Sequence, residues 1–107
     1  MSNPVIKLPE AVALATSAAR RVLRDRFPKD ETEVFESYIF EDKNFWLFFR
    51  NRKIVLPDPA TGQYSDSSAV AIGKHGMVLT VRDNMDRKDE LDRQVEGLSR
   101  YFELRDK

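Results

Sequence analysis

The stretch Phe45-Trp46-Leu47-Phe48-Phe49-Arg50 decides how the rest of the chain must be arranged. Its aromatic character, and the β-branched and aromatic residues among 33 to 41 before it, predict two strands, and the polar tetrad Glu41-Asp42-Lys43-Asn44 between them predicts the turn of a β-hairpin. Side chains alternate along a strand, so Phe45, Leu47 and Phe49 face one way and Trp46 and Phe48 the other. Both faces of this sheet therefore carry large apolar groups. One helix covers one face, and the other needs a second helix, a loop or a partner.

Working outward, Pro9 suits the first turn of a helix, and Glu10 complements the positive end of its dipole. Val12, Ala15, Ala19, Val22, Leu23 and Phe27 recur at spacings of three and four, which predicts an amphipathic helix with an alanine-lined face, ended by Pro28. On the far side of the hairpin, Ile54-Val55-Leu56 is a short apolar run, and residues 57 to 68 read as a long loop. A second hairpin follows, Ser68 to Gly73 against Met77 to Arg82, around the turn Gly73-Lys74-His75-Gly76, whose glycines permit positive φ. After Asp83-Asn84 or Asp86 as a cap, Leu91, Val95, Leu98 and Phe102 form the stripe of a C-terminal helix. The fold class is α+β: an N-terminal helix, a four- to five-stranded antiparallel sheet and a C-terminal helix, with residues 1–107 as a single domain.

Composition narrows the function classes. Eighteen lysines and arginines balance 18 acidic residues, so no net field draws a polyanion. With no cysteine there is no disulfide and no thiolate ligand or nucleophile, and a reducing compartment is compatible. No signal-peptide pattern opens the chain and no run spans a bilayer, which predicts a cytoplasmic protein with no membrane role.

Catalytic constellations are weak. His75 is the only histidine, and a triad would have to join it to Ser65, Ser67 or Ser68 and to Asp58 or Asp66, without a nucleophile elbow around any of these serines. Asp83-Asn84-Met85-Asp86 lacks the glycine and distal glutamate of a calcium loop, and the scattered glycines make no phosphate cradle, so neither metal nor cofactor is expected. Arg50-Asn51-Arg52-Lys53 beside Trp46, Phe48 and Phe49 has the ingredients of a single-strand nucleic-acid platform, against which stand the alternation of the aromatics and the neutral charge. A non-catalytic binding role fits these residues better than an enzyme.

The leading alanine-rich helix, the aromatic hairpin with Trp46-Leu47-Phe48, the Pro57-Asp58 and Thr61-Gly62 of the loop and the short second hairpin resemble small bacterial immunity proteins of polymorphic or contact-dependent toxin systems, over residues 9 to 82. In that family a tryptophan-containing strand is followed by aspartate, two residues and threonine-glycine, as in Asp58, Thr61 and Gly62. The charged C-terminal helix departs from the shortest members, and a cystatin-like sheet fits nearly as well. The resemblance implies a cytoplasmic protein that binds and inhibits a cognate toxin. Its contact candidates are Glu36, Glu41 and Asp42 on the first hairpin and Asp58, Tyr64 and Asp66 in the loop. The alternative is a homodimeric adaptor associating through the Leu91, Val95, Leu98, Phe102 stripe.

Overall fold

The computed structural model describes residues 5–23, 27, 33–51, 53–54 and 68–105. They form helix α1 (Leu8–Leu23), strands β1 (Phe35–Glu41), β2 (Phe45–Arg50), β3 (Ala69–Gly73) and β4 (Val78–Val81), and helix α2 (Lys88–Arg105). The four strands make an antiparallel meander in the order β1-β2-β3-β4, with α1 packed on one face and α2 on the other. The second helix thus supplies the cover that the aromatic strand requires. Val55 and Leu56, where a fifth strand was conceivable, lie outside the described residues.

The two faces solve their packing differently. Opposite α1, large residues pair with large ones across the strands, Trp46 with Ile72 and Phe48 with Val70. That face is bulky, so the helix on it is lined with small side chains, Ala11, Ala15 and Ala18, which let its axis come close. Val12, expected on the buried face, is exposed, and Ala11 and Ala18 take that place. The alanine stripe is sterically the better match to an aromatic surface than a valine stripe is.

Opposite α2 the sheet alternates large with small: Phe45 faces Gly73 and Leu47 faces Ala71. The hollow over β3 admits large residues from α2. Phe102 fills it, stacked on Phe45 with ring centroids 5.5 Å apart, while Leu91, Val95, Leu98 and Tyr101 pack around it. A Cβ placed on Gly73 would sit 2.8 Å from the Phe102 ring, so glycine here serves close approach. Of the two turn glycines only Gly76, at φ 97°, takes a left-handed conformation.

The end of the sheet away from the hairpin turns is fastened by polar side chains. Arg50 is held at its backbone, where N–H donates to Asp83 Oδ2 (3.0 Å), and at its guanidinium, which donates to Ser68 Oγ (3.3 Å) and to the Ile54 carbonyl. Asn51 adds a bond from Nδ2 to the Glu33 carbonyl (2.8 Å). Asp83 also accepts from Met85 N–H (3.2 Å) and lies five residues before α2. Its carboxylate ties β2 to the β4–α2 connection instead of capping the helix, as the spacing had suggested. Along β1, the four steps from Phe35 to Ile39 match two along β2, a bulge that leaves Tyr38 half out of the fold and stacked on Phe49 at 5.7 Å.

Substitutions at Phe102 and Gly73, with Leu104 as an exposed control, test this packing in urea denaturation. Phe102→Ala is expected to cost about 3–5 kcal/mol, whereas Leu104→Ala, two residues on and 69% exposed, stays within about 0.5 kcal/mol of the parent. Gly73→Ala is expected to cost about 1–3 kcal/mol, and less when Phe102 is first shortened to leucine, because the two positions compete for one space. Additive costs would contradict the contact.

Candidate functional site at the hairpin end

In a meander the β1–β2 and β3–β4 turns fall at the same end of the sheet, and here they are bonded to each other. Lys74 N–H donates to the Asn44 carbonyl (3.0 Å), and the Lys74 carbonyl accepts from Ile6 N–H (2.8 Å), which draws in the segment before α1. The far end of α2 completes the assembly. Asp42 Oδ2 accepts from Asn44 N–H (3.0 Å), an aspartate turn, and from the Ser99 hydroxyl (2.9 Å). Asn44 Nδ2 donates in turn to the Ser99 carbonyl (3.1 Å) and to Ser99 Oγ (3.0 Å).

Across this braced turn runs a charged pair. The Lys74 ammonium bonds the Glu41 carboxylate and lies 4.0 Å from the centroid of the Trp46 ring, so one cation serves an anion and an aromatic face together. The hydrogen bond and the charge of Lys74 hold the Glu41 carboxyl below its usual range, against an opposing desolvation and with a smaller contribution from a bond with Trp46. Lys74 is mostly covered and Glu41 mostly exposed, which places a fixed carboxylate at the surface. Beside the pair, Val5, Lys43, Asn44, Lys74, His75 and Glu103 surround an open cleft of about 420 Å³.

Of the contact candidates, Glu41 and Asp42 meet at this end, and they differ in availability. Asp42 spends an oxygen on two internal bonds, whereas Glu41 faces outward. Glu36 sits five residues back along β1, toward the opposite end. Asp58, Tyr64 and Asp66 lie outside the described residues. Lys74 and Ser99 were missed as members of the site, because their part depends on pairings across 33 and 57 residues that no local pattern encodes.

Other chemistry is placed as follows. Ser68 and His75 stand at opposite ends of β3, and Ser68 Oγ accepts from Arg50, so this serine and histidine are not partners. Ser65, Ser67, Asp58 and Asp66 are outside the described residues. Among the described residues no three histidine, aspartate or glutamate side chains gather as a metal site, and no helix is long and apolar enough to cross a membrane. The stacking platform that the alternation of the aromatics argued against is not presented: Trp46, Phe48 and Phe49 are buried beneath the two helices.

The Lys74–Glu41 pair is tested by following the Glu41 carboxyl by NMR as pH is lowered. With the carboxyl depressed, the pair's contribution is present above the ordinary carboxylate range and is lost as pH falls through the lowered value. Lys74→Met is expected to move the Glu41 titration up toward an ordinary glutamate. An unchanged midpoint would remove Lys74 as its cause.

In comparison with known proteins, no family model, no curated protein and no solved structure matches the chain. The functional reading rests on the residues and their geometry.

Proposed function

We propose that this chain is a non-catalytic binding protein of the cytoplasm, an immunity protein that neutralises a cognate toxin by gripping its surface through the hairpin end of the sheet. The observation that carries the reading is the preorganisation of that end. Two turns, the segment before α1 and the end of α2 are locked by the Asp42–Asn44–Ser99 and Lys74–Asn44 bonds, and the exposed Glu41 carboxylate is held by Lys74. A rigid charged turn loses little freedom on association, and its charge selects and steers a complementary, basic surface. Nothing in such a role demands a nucleophile or a metal.

Association through the α2 stripe has less to recommend it. Leu91, Val95, Leu98 and Phe102 pack against Phe45, Leu47 and Ala71, and a dimer using them would first have to lift α2 from the sheet.

Affinity capture of the tagged chain from its own cells, identification of the bound protein and titration of the purified pair test the reading. A single stoichiometric partner, toxic when expressed alone, is expected. Glu41→Lys should weaken that complex about fivefold or more, chiefly through slower association and a flatter salt dependence, with Glu36→Lys having the smaller effect. Unchanged affinity in the Glu41 variant would remove the hairpin end from the interface, and self-association without a partner would favour the homodimeric module.

A further inference from the structure

A four-stranded meander has two open edges, and here they are unequally protected. β1 carries a bulge and the charged residues Glu36 and Glu41, devices that discourage pairing with another chain. β4 has neither. Val78-Leu79-Thr80-Val81 is uncharged, rich in β-branched residues and in unbroken register with β3.

The phase of the ladder shows which backbone groups are open. Gly73 N–H donates to the Met77 carbonyl (2.8 Å), so in the same register Leu79 and Val81 exchange bonds with Ala71 and Ala69. Val78 and Thr80 alternate with these, and their N–H and C=O groups point away from β3. Among the described residues, no backbone group of another element bonds them. The side chains of Val78 and Thr80 also lie on the α1 side, where with Ala18, Arg21 and Val22 they line a groove of about 310 Å³ between helix and strand. The two residues that offer hydrogen bonds to an added strand are thus the two that form the wall for its side chains.

We propose that the β4 edge is a second docking surface, taking up an extended acidic segment of a partner protein as a fifth strand, with a carboxylate of that segment over Arg21. Charge decides the occupant. Arg21 is exposed at the groove, and Arg20 beside it is engaged with the Phe27 ring, 4.4 Å from its centroid. A second copy docking β4 on β4 about a two-fold axis would bring two α1 helices and two Arg21 side chains to one seam, where like charges repel. An acidic strand meets the same seam with complementary charge and supplies the missing ladder bonds. This surface is separate from the hairpin end and does not depend on the toxin-binding reading.

The test is an NMR titration of the labelled full chain with a synthetic hexapeptide of alternating glutamate and valine, set against one of alternating lysine and valine. The acidic peptide is expected to shift the amides of Val78 and Thr80 and slow their hydrogen exchange, leaving the already bonded Leu79 and Val81 amides little changed. Arg21→Glu should weaken the acidic peptide about fivefold and favour the basic one. Thr80→Pro should abolish the slowed exchange, since it removes an outward N–H without touching the β3 ladder; if that variant fails to fold, the Arg21 exchange of preference still decides. Three results would overturn the proposal: equal binding of both peptides, no amide shift at millimolar peptide, or Val78 and Thr80 amides already protected in the free chain, whether by its own residues or by a second copy.

Discussion

Everything in this fold follows from burying β2 on both of its faces. Five consecutive large apolar residues, Phe45 to Phe49, make a strand that is stable only as the interior of a three-layer structure. A sheet with one wet face would leave either the Phe45, Leu47, Phe49 set or the Trp46, Phe48 set in water, at about 1.5–3 kcal/mol for each side chain. The chain answers with one helix before the sheet and one after it.

Two kinds of complementarity then make the layers fit. A bulky face receives alanines, and a face with a glycine and alanine hollow over β3 receives Phe102. The consequence for function is that the aromatic residues of β2 are spent on the core. The two surfaces proposed for recognition are therefore peripheral: the hairpin end braced by Asp42, Asn44, Lys74 and Ser99, and the edge of β4, which no other described strand pairs.

The elements and their faces were legible in the sequence wherever a period repeats. The alternation in β2 and the Leu91, Val95, Leu98, Phe102 stripe placed the strand and the second helix correctly, since each pattern is generated by the burial that it reports. The buried side of α1 was read a little off, because Val12 outweighs alanine on any hydrophobicity scale while the aromatic sheet selects for smallness. Asp83 looked like a helix cap from its position, yet what it binds is the Arg50 amide 33 residues away. The site was legible only in part for the same reason. Glu41 and Asp42 announce a polar turn, but their partners Lys74 and Ser99 come from the other hairpin and from α2, and only the folded meander brings them together.

The claim that both sheet faces are sealed by the chain's own helices is most directly tested by native-state hydrogen exchange on the free protein. The account predicts that the α2 amides around Leu98 and Phe102 open with the same free energy as the central amides of β2 and β3, because helix and sheet share one core. An α2 that exchanges at a much lower free energy than the sheet would contradict it: the Phe45, Leu47, Phe49 face would then be uncovered repeatedly in the native state, as a surface for a partner and not as the inside of the fold.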